Sequence, residues 1–583
     1  MKPADKIRQA IEGVVGKNID FVVEHPADES HGDYATNVAM MMEGNPRELA
    51  QGLAEKLKKS AVLGGVVDLP RIEVAGPGFI NFWLKEDWLL SEAGEVTQLS
   101  DEYGKGNWGK GQIYEVEHTS PNPNKAMHLG HLRNNVTGMA VANLFEAGGV
   151  KVIRDAVDNN RGIAIAKLMW GFLKFAKKDG KETEDVDYWH LHQDEWQTPE
   201  DKGMRPDRFV DELYVKGAED SKNKPVEEKV RKLVVDWEAE NKTTWALWRN
   251  VLDYSYEGQA MTLARLGNRW DKVWHEHEHY KEGKAWVDKG IKKKIFKVLP
   301  DGAVLTDLSK FGLTDTIVIK SDGTALYITQ DLALTSLKKK TYKADRLFWV
   351  IGPEQSLDLK QMFAVCEQLG IGKVSDFSHI PYGYMSIKGQ GKMSSRTGNV
   401  VYIDQLLDSA KDEISKVIKE RGFTKKEEES VSEKLGVGSV KYSILKVGRM
   451  TDMAFDLASS ISFEGDSGPY LNYVYVRTKG VARKANDDKA EVIIDELSDT
   501  EKSILRWIAR FSEVVESAGK DLAPNLVCSY LFELSQKYNS FYSKNPIAGG
   551  GRYKGRRLTI NNAVGQIIKT GLKLLGIEVV EKM

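Results

Sequence analysis

The segment Ser120-Pro121-Asn122-Pro123-Asn124-Lys125-Ala126-Met127-His128-Leu129-Gly130-His131 carries the densest chemistry in the chain. It lies between an extended run and a helical run. His128 and His131 flank Gly130 where the helix should begin, so two rings and the backbone N–H groups of a first turn can converge on an anion. Gly130 would let a phosphate approach the backbone closely. The same spacing could instead serve only to cap a helix. Far downstream stands Gly391-Lys392-Met393-Ser394-Ser395-Arg396, glycine-edged and followed by the strand-like Val400 to Ile403. A lysine and two serines on a loop suit triphosphate oxygens; alone, the segment reads equally as a solvated basic turn.

These loops need elements to hold them. Ile113 to Glu117, Val150 to Val157 and Leu347 to Ile351 read as strands, and Gly130 to about Ala147 as a helix. The continuous apolar run in the third strand suits a buried parallel sheet. Strand, loop and helix repeating in this way predict a doubly wound nucleotide fold. Before it, residues 1 to 104 read as a small α+β unit: helices at Lys6 to Val14, Tyr34 to Met42 and Pro46 to Leu57, then extended segments around Gly76-Pro77-Gly78 between Val74 and Trp83. A glycine-rich break at Tyr103 to Gly111 ends this unit. From about 170 to 300 the chain turns Trp-rich, charged and helical, which predicts an insertion into the nucleotide fold spanning 105–408. Residues 409–583 read as a helical bundle.

At 583 residues the chain exceeds what one hydrophobic core supports, so several domains are expected. No apolar stretch approaches the ~18 residues of a membrane helix, and the N-terminus lacks a secretory pattern, so a cytoplasmic protein is expected. The two cysteines, Cys366 and Cys528, stand far apart in apolar contexts, which excludes a disulfide scaffold and a cysteine zinc site. A net charge of −2 gives no global polyanion signal, although a local basic face would suffice for RNA.

Together and in this order, the two loops resemble the paired ATP signatures of class I aminoacyl-tRNA synthetases. Within that class the likeness is to arginyl-tRNA synthetases and covers most of the chain outside the insertion. Glu117-His118-Thr119-Ser120-Pro121-Asn122, continuing through Lys125 to His131, Leu132 and Arg133, is similar to that family's extended first signature. The second signature ends in Ser395 where most class I enzymes carry lysine, and the resemblance implies that Lys125 compensates. Gly32-Asp33-Tyr34-Ala35-Thr36-Asn37 and Gly76-Pro77-Gly78-Phe79-Ile80-Asn81 resemble the family's N-terminal domain, which contacts the tRNA body. Gly468-Pro469-Tyr470-Leu471-Asn472-Tyr473 with Arg477, and the tail from Gly571 to Ile577, resemble its anticodon-binding bundle.

The resemblance implies a ligase that activates L-arginine with ATP and Mg2+ and transfers it to tRNA(Arg), acting as a monomer without a membrane. His128, His131, Lys125 and Lys392 would be the catalytic donors, with Gly130, Met393, Ser394 and Ser395 also holding ATP. A planar cation with five donors is best read by fixed carboxylates and a hydroxyl, and the expected arginine pocket is Glu117, Asn122, Tyr327, Asp331, Gln355 and Glu276. For Tyr327 the alternative is core packing, and for Asp331 complementation of a helix dipole. Glu276 lies in His275-Glu276-His277-Glu278-His279, whose alternation also fits a solvated strand edge, and no metal site is expected there. Tyr470 and Tyr473 would stack anticodon bases, with Arg477, Arg552, Lys554, Arg556 and Arg557 meeting phosphates. One departure stands out: Asn159-Asn160-Arg161-Gly162 replaces the Asn-Asp-Trp-Gly common in bacterial members. Another class I synthetase and a catalytically silent tRNA-binding paralogue are the competing readings; a small nucleotidylyltransferase with the same histidine signature is too short for a chain of 583 residues.

Overall fold

The computed structural model describes residues 2–389, 401–485, 492–549 and 551–583. Its central element is a five-stranded, all-parallel sheet in the spatial order Phe377–Ile380, Arg346–Val350, Ile113–Glu117, Lys151–Asp158, Lys272–His275. The first strand in sequence is therefore central, and the chain winds outward from it in both directions. A crevice opens outside the carboxyl ends of the strands where such winding reverses. Arg346–Val350 is almost wholly apolar because helices cover both sheet faces; Leu347, Phe348, Trp349 and Val350 are all buried. The outermost strands, Lys272–His275 and Phe377–Ile380, are additions to the three expected from sequence.

The insertion is helical from Ile163–Phe175 to Lys242–Arg265 and has its own core, in which Trp170, Trp189, Trp196, Trp237 and Trp248 are buried. Two of its helices cross at Gly171 and Gly217, where a Cβ would lie 2.0 Å from the opposing backbone carbonyl in each direction. Only glycine permits that approach. After Arg265 the chain returns to the sheet at Lys272–His275, inside the span expected for the insertion. A small antiparallel sheet (Lys297–Val298, Val304–Leu305, Ile317–Ile319) follows and leads through a turn at Gly323 into the helix Tyr327–Tyr342.

In the N-terminal unit, the helix Pro46–Leu57 begins on the Asn45 cap, whose Oδ1 accepts from Arg47 N–H at 3.1 Å. Tyr34 to Met42 is not the expected helix: Tyr34–Thr36 is a strand pairing with Phe79–Phe82, and a 3-10 turn follows at Val38–Met41. The pairing brings Gly32 so close to the Phe82 carbonyl that a Cβ would sit 2.7 Å from its oxygen. This unit docks on the C-terminal bundle. Buried Asp33 pairs with Arg506 at 3.0 Å, Glu29 with Lys537 at 2.5 Å, and Tyr34 donates to Glu513 at 2.7 Å.

The C-terminal part is a bundle in which two helices start on reciprocal capping boxes, Thr424/Glu427 and Ser498/Glu501. It is not purely helical, since Met453–Phe455 forms a short strand beside Met385–Ile387. Of the expected strand Val400 to Ile403, Val400 lies outside the described residues, Tyr402 contributes one isolated bridge, to His128, and Ile403 already begins a helix. Cys366 and Cys528 are buried free thiols. Among the described residues no helix is long and apolar enough to cross a membrane.

Candidate active site

His128 and His131 stand where the central strand's loop enters the helix Leu129–Ala147. They do cap that helix: His128 Nδ1 accepts from Gly130 N–H, and His131 Nδ1 accepts from His128 N–H, both at 3.2 Å. The rings stack with centroids 4.1 Å apart. This corrects one expectation, because the N–H groups of His128 and Gly130 are spent on the cap and are not left for an anion. It also assigns the tautomer: with Nδ1 accepting, each neutral ring carries its proton on Nε2. Burial, and then the charge of Lys125, push His128 down to about 4, while burial and His128 hold His131 well below the usual range. At neutral pH the pair thus offers two uncharged donors.

The sheet brings Glu115, Glu117 and Asp155 together by pleat and register. Glu115 and Glu117 share a face because side chains alternate along a strand, and Asp155 is the register partner of Glu117. From the helix Tyr327–Tyr342, Lys338 descends into this group and donates to Glu115 at 2.9 Å, Glu117 at 2.7 Å and Asp155 at 3.0 Å. Lys338 is only 1% exposed. Asp155 also accepts from Trp274 Nε1 and Tyr342 Oη, both at 2.9 Å. Burial and then the like charge of Asp155 push Glu115 well above the ordinary carboxylate range. The ligand oxygens of the three carboxylates lie within 4.8 Å of one another, a spacing that would suit a cation, but the Lys338 ammonium already fills that role. Apart from Glu117, this cluster was not identified in the sequence.

Glu117 is therefore a shared residue, with one oxygen bound by Lys338. Tyr327 and Asp331 rise from the same helix one turn apart. Tyr327 is 82% exposed, which removes core packing as its role. Asp331 lies beyond the first helical turn, so dipole complementation does not explain it either. Its side chain is exposed, and its carboxyl is pushed up to about 7 by the surrounding protein and then by Glu117. Glu276 contributes to the same field. It is buried at the end of the outer strand, and His275 to His279 is a strand end followed by a helical turn, not an alternating strand edge. His275 pairs with Asp158 and His277 with Asn160, so the histidines do not converge.

Asn122 and Gln355 are exposed on the loops after the first and fourth strands. Glu117, Asn122, Glu276 and Gln355 thus all stand at the carboxyl ends of the parallel strands, and Glu117 and Glu276 act electrostatically on Asp331 there. Arg161 occupies the wall of this region. Its guanidinium lies 4.0 Å over the Tyr280 ring centroid and pairs with Glu238 at 2.5 Å and Glu276 at 3.3 Å, so the side chain that departs from the family pattern ties Glu276 to the insertion. Lys125 is half-buried in the first loop. Lys392, Met393, Ser394 and Ser395 lie outside the described residues.

Residues 99–457 match the model for the catalytic domain of class I (R) tRNA synthetases, residues 471–583 the DALR anticodon-binding domain, and residues 2–84 the arginyl-tRNA synthetase N-terminal domain. The arginine–tRNA ligase of Phocaeicola vulgatus is 32% identical, the alignment covering 93% of this chain and 92% of that protein. That of Flavobacterium psychrophilum is 33% identical over 87% and 85%. The chain belongs to the arginyl-tRNA synthetase family. Its fold is that of the Thermus thermophilus arginyl-tRNA synthetase, with a TM-score of 0.82 at 21% identity over 100% of this chain and 99% of the other.

Within the family's anticodon-binding domain, the sequence-selected residues form one half-exposed patch. Arg477 donates to Tyr473 Oη at 2.5 Å and Asn539 Oδ1 at 2.6 Å, and Asn539 in turn donates to Tyr470 Oη at 2.8 Å. The downstream basic run behaves differently. Arg556 is buried and pairs with Glu501 at 2.8 Å and Asp495 at 3.1 Å; Arg557 pairs with the same Glu501 at 3.1 Å. Lys554 donates to the Ala485 carbonyl, and Arg552, although exposed, pairs with Asp495. Arg556 and Arg557 therefore stabilise the bundle, and neither the expected phosphate contact nor a simple solvated loop describes them.

Proposed function

We propose that this protein joins L-arginine to tRNA(Arg) at the cost of ATP, through an arginyl-adenylate. The observation that carries the reading is the pair Tyr327 and Asp331, exposed on one helix face beside Glu117 and Glu276, at the same sheet end as the His128/His131 pair. An arginine guanidinium requires fixed acceptors, a role assigned to Asp331, Glu276 and the Glu117 oxygen not bound by Lys338, together with the Tyr327 hydroxyl. Asn122 and Gln355 are assigned to the ammonium and carboxylate ends.

In the first step the arginine carboxylate oxygen bonds to the α-phosphorus of ATP while the bond to the bridging oxygen breaks and pyrophosphate leaves. Charge grows on the phosphoryl oxygens, and oriented donors lower its energy. The Nε2–H groups of His128 and His131 serve there, with Lys125 adding charge and Gly130 allowing close approach. ATP enters as its Mg2+ complex. Lys392, Met393, Ser394 and Ser395 are assigned to the triphosphate from sequence alone. A terminal ribose hydroxyl of the tRNA then attacks the adenylate carbonyl and releases AMP. Tyr470, Tyr473 and Arg477 are assigned to anticodon bases and phosphates, and the division into 1–104, 105–408 and 409–583 is proposed as one body-contacting, one catalytic and one anticodon-reading unit.

Pyrophosphate exchange with arginine, ATP and tRNA tests the reading. Arginine should support exchange and lysine should not; exchange with a different amino acid would reject the assignment. Lys392→Ala should lower exchange by about 10²-fold with tRNA affinity unchanged, and an equal loss of both would point away from the triphosphate. The Asp331 carboxyl adds a pH signature. Below its value of about 7 it takes up a proton and no longer attracts the guanidinium, which stays charged. KM for arginine should then be flat above pH 8 and rise as pH falls, roughly tenfold per unit once below pH 6, with KM for ATP steady. An arginine KM that is flat from pH 8 to 5.5 would remove Asp331 from the pocket.

A further inference from the structure

The helical insertion grips the ATP loop from two sides. On one side, the helix Pro206–Asp220 faces the strap that follows residue 400. Tyr402 Oη donates to Asp211 Oδ2 at 2.7 Å, the Arg208 guanidinium lies 3.0 Å over the Tyr402 ring centroid, and Arg208 also pairs with Asp404. Tyr402 is the residue whose backbone bridges to His128, and the next N–H, that of Ile403, donates to the Met127 carbonyl at 3.1 Å. A chain of contacts thus runs from the insertion through Tyr402 to His128.

On the other side, the long helix Lys242–Arg265 presents Gln259, which is buried and donates through Nε2 to the carbonyls of Asn122 and Lys125, both at 3.2 Å. These carbonyls belong to the loop that ends at His128. The two helices are themselves joined by Arg205, which donates to the Gly258 carbonyl and to Thr262 Oγ1, each at 2.8 Å. A loop rich in proline and asparagine has no ladder of its own to hold it, so its geometry follows what binds its free carbonyls and its far end.

We propose that the insertion is a brace for nucleotide binding: Arg208 and Asp211 through Tyr402, and Gln259 through the Asn122 and Lys125 carbonyls, act as positioning residues that set His128 against ATP. The proposal rests on the assignment of His128 to ATP. Donor placement matters because a displacement of about 1 Å can cost on the order of 10²-fold in a polar site.

The test is calorimetric titration of the full-length protein with MgATP and, separately, with arginine, for wild type, Tyr402→Phe, Asp211→Ala, Gln259→Ala and the Tyr402→Phe/Asp211→Ala double variant. Tyr402→Phe keeps the ring under Arg208 and removes one oxygen, so the fold should survive with an unchanged melting temperature. Tyr402→Phe and Gln259→Ala should each weaken ATP about three- to tenfold; arginine affinity should stay within twofold in Tyr402→Phe, whose contacts do not reach Asn122. The double variant should be no weaker than Asp211→Ala, because both changes delete one hydrogen bond. ATP affinities within twofold of wild type, equal losses for ATP and arginine in Tyr402→Phe, or losses that merely track melting temperature would each overturn the brace. Because ATP is titrated without arginine, a wild type that binds ATP and not arginine would refute the arginine reading while leaving this comparison intact.

Discussion

Lys338→Met should cost about 3–5 kcal/mol of stability, a large part of the 5–15 kcal/mol typical of a folded domain. Methionine fills nearly the same volume, so packing is not the cause. The substitution leaves Glu115, Glu117 and Asp155 buried together with no counter-ion, and charges so placed must either be neutralised or expel the structure. Thermal melts should show the catalytic domain losing its transition or melting far below wild type. The sign with pH is fixed: carboxyls raised in the folded state bind protons more tightly there than in the unfolded chain, so the variant should regain stability as pH falls toward 5. Adding Glu115→Gln should recover part of the loss at neutral pH. A Lys338→Met protein with a wild-type melt would show that the cluster is not held by this ammonium.

Asp331→Asn should lower kcat/KM for arginine by about 10²- to 10³-fold, the loss expected when one partner of a shielded charge pair is removed. KM for ATP should stay within twofold. Stability should hold or rise slightly, because Asp331 is open to solvent and pressed by the like charge of Glu117. Tyr327→Phe should follow in the same direction with a smaller effect, about five- to tenfold. Steady-state kinetics with each substrate varied in turn separates these outcomes. Equal loss for arginine and ATP would place Asp331 in support of the domain and not in the pocket.

Much of this site could be read from residue order, and the limits have physical causes. The central strands are legible because burial on both faces demands long apolar runs, as in Leu347 to Val350. The outer strands, Lys-Val-Trp-His and Phe-Ser-His-Ile, are short and half polar, so their period carries little signal. Tyr34 to Met42 misleads because its strand is imposed by pairing with Phe82, which local propensity does not encode. Lys338 hides in the run Lys338-Lys339-Lys340, which reads as a solvated helix end. Helical geometry does hold a clue: at 100° per residue, Tyr327, Asp331 and Lys338 fall within about 40° of one another, so a lysine shares the face of the two pocket residues. The spacing of His128 and His131 reads either as a helix cap or as an anion site; the structure spends both Nδ1 atoms on the cap and leaves Nε2 outside it. Arg556 shows the reverse failure, since sequence alone does not tell an interior guanidinium from a surface one until Glu501 is seen beside it.

The seam between the first and last domains has a consequence for biogenesis. Glu29 finds Lys537 only after 508 further positions have been added to the chain, which at typical translation speeds takes on the order of 25 to 100 s. Through that interval the nascent N-terminal unit carries an acidic face, Glu29 with Asp33, whose basic partners have not yet been synthesised. The unit must therefore tolerate that charge by itself on the ribosome, and its final docking is a late, post-synthetic event in the maturation of the enzyme.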